Sequence, residues 1–178
     1  MIAKHPQILI LDRDGVINQD SDDYIKSPEE WMPIPGSLEA IAHFNQLGIK
    51  VVVATNQSGV GRGLFTLDTL AAIHQKMQAM LKAAGGHIDG VYFCPHHPDD
   101  GCDCRKPKPG LLLQIQRDFN IDLTQAIVVG DSLRDIQAAQ AVGAYPMLVK
   151  TGKGERTLAT NPPNLKDINI LPALLDLT

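Results

Sequence analysis

Five short apolar runs recur along the chain, at 7–11 (QILIL), 49–54 (IKVVVA), 90–93 (GVYF), 126–130 (AIVVG) and 145–149 (YPMLV). Each is too short for a helix and nearly continuous in hydrophobicity, as a strand is when both of its faces are covered. Between them the apolar positions fall at helical spacing. Residues 37–47 begin at a Ser37 N-cap and stop before Gly48, and residues 67–84 follow Thr66 and stop before Gly85. Residues 110–119 follow Pro109, and residues 133–142 stop before Gly143. Strands joined by helical crossovers pair in parallel. The expected fold class is therefore α/β: an open, Rossmann-like parallel sheet with helices on both faces. Residues 160–168 read as a loop, and a last helix is expected over about 169–176.

A chain of 178 residues supports one sizeable core, so a single domain over 1–178 is expected. Its net charge of −4 and lack of a basic block argue against a nucleic-acid or anionic-membrane partner. No apolar run approaches 18 residues, and residues 1–7 (MIAKHPQ) lead straight into the first strand, so a cytoplasmic protein is expected. The chain has 3 cysteines, all within 94–104, and an odd, clustered set suggests a metal rather than disulfides.

In parallel α/β sheets, ligands bind beyond the carboxyl ends of the strands. Polar clusters stand at four of those ends. Asp12 and Asp14, in LDRDGV, are spaced so that both carboxylates leave the first strand toward one side. Such a pair can divide its roles: one carboxylate attacks phosphorus and the other moves a proton on the leaving oxygen. An Asp-Gly turn alone would explain them equally well. Thr55 and Asn56 follow the second strand, where a hydroxyl and backbone N–H groups can bind phosphoryl oxygens or merely close a turn. Lys106, after the third strand in CDCRKPKPG, can neutralise both the attacking carboxylate and the phosphoryl group. Beside it, Arg105 can make a fork to a second phosphate or to a hydroxyl. Two solvated cations are the plainer reading, but Pro107 and Pro109 stiffen the chain around the pair. GDSLRD, after the fourth strand, offers Asp131 and Asp135. Asp131, Asp12 and a backbone carbonyl supply the hard oxygens that magnesium prefers, while Asp135 either contacts the metal or orients the site. Gly59, Gly61 and Gly63 do not have dinucleotide spacing, and no P-loop is present, so nucleotide cofactors are set aside.

Cys94, His96, Cys102 and Cys104 form C-x-H-x5-C-x-C in a loop broken by Pro95 and Pro98. Three thiolates and one imidazole make a closed, structural zinc shell, with the adjacent His97 as the alternative fourth ligand. Such a site has no open position. Its role would be to fix the loop that carries Arg105 and Lys106.

D-x-D-G-V after strand one, Thr after strand two, Lys after strand three and G-D-S-x-x-D after strand four together resemble the haloacid dehalogenase superfamily of phosphatases. The resemblance spans roughly 7–150. DRDGVIN (12–18), TNQSG (55–59), CPHHP (94–98) and CDCRKPKPG (102–110) are similar to a capless branch that acts on a sugar bisphosphate of the heptose class. The resemblance implies Asp12 as nucleophile, Asp14 as acid and then base, and Thr55 and Lys106 as holders of the transferring phosphoryl group. It implies Mg2+ on Asp12, the Asp14 carbonyl and Asp131, and structural Zn2+ on Cys94, His96, Cys102 and Cys104. Substrate contacts are implied for Asp20, Tyr24, Asn56, Gln57, Ser58, Arg105 and Ser132. The expected partner is the small-molecule substrate alone, and the expected state is a monomer. This sequence departs from the branch in a 20–24 loop one residue longer and in a short His96–Cys102 interval. Histidinol phosphate is the rival substrate. A polynucleotide 3′-phosphatase would need a basic groove, and a non-enzymatic zinc-stabilised binding module would bind zinc without hydrolysing phosphate.

Overall fold

The computed structural model describes residues 6–178, so residues 1–5 of the stretch expected to lead into the first strand lie outside the described residues. Six strands form one parallel sheet: β1 (Ile8–Leu11), β2 (Lys50–Asn56), β3 (Gly90–Cys94), β4 (Ala126–Gly130), β5 (Tyr145–Val149) and β6 (Asn169–Leu171), in the spatial order β3-β2-β1-β4-β5-β6. The crossovers carry α1 (Ser37–Gln46), α2 (Ser58–Gly61), α3 (Leu67–Ala83), α4 (Gly110–Phe119), α5 (Leu133–Ala141) and α6 (Gly154–Ala159).

The unbroken hydrophobicity of the strands follows from burial on both faces. Leu9, Leu11, Val51, Val53, Ile127 and Val129 point to the layer of α1 and α3, among Ile41, Phe44, Ile73 and Met77. Their alternates Ile8, Ile10, Val52, Ala54, Ala126 and Val128 point to the layer of α4 and α5, among Leu111, Leu112, Ile115 and Ala138. Period-two alternation thus feeds two cores from one sheet. Central β1 sets the register: Leu11 lies level with Val53 on one side and Val129 on the other. The residues that leave β1, β2 and β4 therefore emerge side by side on one edge.

Two expectations are corrected. The helix expected over 169–176 is instead the edge strand β6, paired Leu148↔Ile170, followed by a 3₁₀ turn at Leu174–Leu177. Pro172 explains this, since proline disfavours a helical residue before it and offers no N–H. Ser37 is the first residue of α1 rather than its cap. Gly36, with φ +84°, holds the cap position, and the Ser37 hydroxyl donates to the Ile17 carbonyl at 2.6 Å. Short helices α2 and α6, and a 3₁₀ turn at Pro163–Leu165 within the expected 160–168 loop, show no periodicity long enough to read.

Candidate active site

Beyond β1 the chain turns sharply. The N–H groups of Val16, Ile17 and Asn18 all approach the Arg13 carbonyl, at 3.2, 2.9 and 3.3 Å. This turn fixes Asp12 and Asp14 on different partners. Asp12 remains in the ladder through its N–H to the Val129 carbonyl (2.9 Å), and its Oδ1 accepts from the Arg13 N–H (2.8 Å). Asp14 Oδ1 accepts from Arg13 Nε (3.1 Å), Arg13 Nη2 (2.7 Å) and Asn18 Nδ2 (2.9 Å), and its Oδ2 accepts from Gln57 Nε2 (2.9 Å). Gln57 also donates to Thr55 Oγ1 at 2.9 Å, tying the end of β2 to Asp14. Burial pushes the Asp14 carboxyl up. The Arg13 guanidinium and these donors outweigh burial and hold it below the usual carboxylate range.

Lys106 arrives from the loop after β3 and is buried. Its Nζ donates to the Ala54 carbonyl (2.7 Å) and to Asp135 Oδ1 (2.5 Å), and lies 3.3 Å from Asp12 Oδ1. Its backbone is clamped by the Asn56 amide: Lys106 N–H donates to Asn56 Oδ1 (3.0 Å), and Asn56 Nδ2 donates to the Lys106 carbonyl (3.1 Å). Burial draws the lysine's pKa down, but Asp12 and Asp135 raise it more, so the ammonium is kept.

Asp12, Asp131 and Asp135 bring carboxylate oxygens within 4.8 Å of one another. Asp135 spends both oxygens within the protein, one on Lys106 and the other on the Ser132 N–H (3.1 Å) and hydroxyl (2.8 Å) at the start of α5. That pattern ties the Lys106 ammonium to the first turn of α5. Asp131 Oδ2 accepts from the Lys153 N–H at 2.8 Å. Burial, then the Asp135 charge, pushes Asp12 up to about 7, and burial, then the Asp12 charge, pushes Asp131 up to about 8. Carboxylates this crowded ionise together only if positive charge joins them. The donor set is hard oxygen, which suits magnesium. The Asp14 side chain is absent from this cluster, because Arg13 and Asn18 hold it. Two glycines make room: a Cβ on Gly15 (φ +84°) or Gly152 (φ +59°) would overlap Asp131 Oδ2.

Asp12, Asp14, Lys106, Asp131 and Asp135 line one cavity of about 260 Å³ together with Asp20, Tyr24, Asn56, Gln57, Ser58, Arg105 and Ser132, whereas Thr55 is buried and is not among the lining residues. The structure thus gathers all of the expected substrate contacts around the catalytic candidates. The 20–24 loop is pinned by Lys153 to Asp20 (3.6 Å) and by Arg156 to Asp22 (3.1 and 3.0 Å). Tyr24, at φ +66°, lies with its ring centroid 5.9 Å from the Arg62 guanidinium carbon. Arg105 is half-buried. Burial, and next the nearby charges of Arg134 and Arg62, lower its pKa, although the Cys94 and Cys102 thiols pull the other way.

Behind the cavity, Cys94 at the end of β3 meets His96, Cys102 and Cys104, with ligand atoms within 4.8 Å of one another. Cys94 Sγ lies 3.6 Å from Cys102 Sγ, and His96 Nδ1 lies 3.2 Å from Cys104 Sγ. Such spacings fit a tetrahedral shell with bonds of about 2.0–2.3 Å. His97 faces away, where its Nδ1 accepts from the Asp99 N–H and caps a short 3₁₀ turn.

Sequence reasoning missed Arg13, a fully buried arginine that grips Asp14 and reaches His74 Nε2 on α3 at 3.1 Å. An arginine between two catalytic-type aspartates was a signal in hindsight, because a cation there must pair or face water. It also missed Arg62 and Arg134, whose residue types are common on surfaces and whose convergence depends on tertiary structure.

Residues 3–143 match the family of haloacid dehalogenase-like hydrolases. The chain is 57% identical over 157 residues to the D-glycero-β-D-manno-heptose-1,7-bisphosphate 7-phosphatase of Pseudomonas putida, covering 88% of this chain and 90% of that protein. The enzyme of the same name from Neisseria meningitidis serogroup A is 50% identical over 171 residues, covering 96% and 91%. Among solved structures, the D,D-heptose 1,7-bisphosphate phosphatase of B. bronchiseptica, complexed with magnesium and phosphate, superposes with a TM-score of 0.93 at 51% identity, covering 96% and 95% of the two chains.

Proposed function

The chain belongs to the haloacid dehalogenase-like hydrolases, and on that premise we infer that it is a magnesium-dependent phosphatase that removes the 7-phosphate of D-glycero-β-D-manno-heptose 1,7-bisphosphate. The observation that carries this reading is the placement of the Lys106 ammonium 3.3 Å from Asp12 Oδ1, in a cavity it shares with Asp131. A nucleophile, a charge-neutralising cation and a carboxylate for magnesium thus meet on one sheet edge. The heptose substrate is supported by the relatives at 50–57% identity. The product would feed the making of nucleotide-activated heptose for lipopolysaccharide core.

In this reading the negative phosphoryl group, arriving beside Asp14, raises that carboxyl's pKa so that it takes up a proton; an Asp12 oxygen attacks the phosphorus as the bond to the sugar O7 breaks, and Asp14 gives that proton to the leaving oxygen. Asp14 then takes a proton from water. The water oxygen attacks the aspartyl-phosphate, which frees Asp12 and inorganic phosphate. Thr55 and Lys106 hold the phosphoryl oxygens, with Lys106 aimed by Asp135 and Asn56. Asp12, Asp131 and the Asp14 carbonyl would hold magnesium, which would offset the negative charge between nucleophile and phosphoryl group. Asp20, Tyr24, Asn56, Gln57, Ser58, Arg105 and Ser132 contact the substrate. Cys94, His96, Cys102 and Cys104 hold zinc. The protein acts as one domain and as a monomer in the cytoplasm. One sheet with shared cores supports the first of these, and among the described residues no helix is long and apolar enough to cross a membrane.

The test compares phosphate release from heptose 1,7-bisphosphate and from histidinol phosphate, with Asp12→Asn beside the parent. We expect the bisphosphate to win in kcat/KM and the well-folded variant to lose nearly all turnover. A preference for histidinol phosphate would replace the substrate, and an active Asp12→Asn would remove the nucleophile.

A further inference from the structure

Most cations around the cavity mouth are matched to protein carboxylates: Lys106 to Asp12 and Asp135, Lys153 to Asp20, and Arg156 to Asp22. Arg62, Arg105 and Arg134 line the same cavity, and among the described residues none of them forms an ion pair. They come from separate elements: the end of α2, the loop between the zinc ligands and Lys106, and the first turn of α5. Arg105 Nη1 is sealed from solvent yet has no hydrogen-bond partner among the described residues. The contacts of Arg62 are slight, a 3.4 Å approach of Nε to Ser58 Oγ and the face of Tyr24. Like charges gathered without a counter-charge repel one another, and an enclosed N–H left unbonded is costly. A dianionic ligand group relieves both.

We propose that Arg62, Arg105 and Arg134 form a subsite for the phosphate that does not react, so that the substrate is gripped at both ends. This rests on the bisphosphate reading above and extends it: Arg62 and Arg134 join Arg105 in deciding which phosphorylated sugars are accepted. Guanidinium forks suit the job, because each can present two parallel N–H groups to phosphate oxygens. The reacting phosphoryl group lies over Asp12 and Lys106, and the sugar spans the space beside Tyr24. A contact that is equal in the ground and transition states acts through KM.

The experiment uses Arg62→Gln, Arg134→Gln and their double variant. Both positions are exposed, so the fold tolerates the changes. Each protein is assayed on heptose 1,7-bisphosphate and on the 7-monophosphate of the same heptose. The parent should prefer the bisphosphate. Each variant should lower the ratio of the two kcat/KM values about tenfold or more, through KM, and the double variant should lower it further. Inhibition of 4-nitrophenyl phosphate hydrolysis by heptose 1-phosphate gives a readout free of the reacting step, and its inhibition constant should rise in the same variants. Equal losses on both sugars, or an unchanged inhibition constant, would overturn the subsite. A parent that hydrolyses the aryl phosphate but prefers the monophosphate would instead refute the bisphosphate reading itself.

Discussion

At the scale of single residues, the site is governed by which oxygen faces which donor. Asp14 illustrates this: Arg13 and Asn18 saturate its Oδ1, while among the described residues Oδ2 accepts only from Gln57. The proton that the proposed acid donates would therefore reside on Oδ2, where a single amide can give way. Arg13 is held in turn by His74, whose ring nitrogen must accept from the guanidinium and so must be neutral. Burial, then the Arg13 charge, holds His74 down to about 4. The direction follows from proton counting. Between about 6.5 and 4 the unfolded chain takes up a proton that the folded chain refuses, so stability present above pH 6.5 is lost as pH falls. The loss is at most about 3 kcal/mol. Urea unfolding of the parent and of His74→Gln at pH 7.5 and pH 4.5 checks this: the gap between the two pH values should narrow in the variant. An identical gap would separate His74 from the acid sensitivity.

At the scale of elements, one loop does two jobs. The segment after β3 carries the Cys102 and Cys104 thiols and then, without a break, Arg105 and Lys106. Cys104→Ser should lower bound zinc measured by elemental analysis and lower the melting temperature. Because Lys106 loses its support, kcat should fall about 10–100-fold, the usual cost of losing an outer-shell prop. Full turnover in a zinc-free variant would show that the clamp of Asn56 on Lys106 suffices alone. Five strands and four helices of this architecture were legible because burial on both faces writes continuous apolar runs, and because Thr66, Gly48, Gly85 and Gly143 punctuate the helices. Strand β6 was not legible. It has 3 residues, largely exposed, and the Leu-rich tail after it mimics a helix until Pro172 is weighed. The four polar clusters were legible as a set because a parallel sheet places strand ends together. Which carboxylate faces the lysine and which faces the arginine was not, because Asp12 and Asp14 differ only in how the turn rotates them.

At the scale of the whole molecule, the sheet acts as a ruler. Leu11, Val53 and Val129 share one level, so Asp12 and Asp131 approach one another without any contact of their own to draw them together. Their repulsion is the cost of the arrangement, and a divalent cation should offset it. Magnesium that binds only the folded state adds about 2.7 kcal/mol at a hundredfold excess over its Kd. For a chain of this size that is about 5–10 °C in melting temperature. Thermal scans with and without magnesium, on the parent and on Asp131→Asn, should show the rise in the parent and a much smaller one in the variant; equal rises would place the cation elsewhere. The same closeness has a consequence for anyone who wants a silent copy of this protein. Gly15 and Gly152 both press on Asp131 Oδ2 with nothing but backbone. One added methyl group at Gly152 would crowd that oxygen and the Gly15 Cα, leaving every acid, base and cation in the sequence untouched. A motif search would still read such a copy as an active enzyme. Its carboxylate cluster would be forced to shift by a single carbon written into the chain.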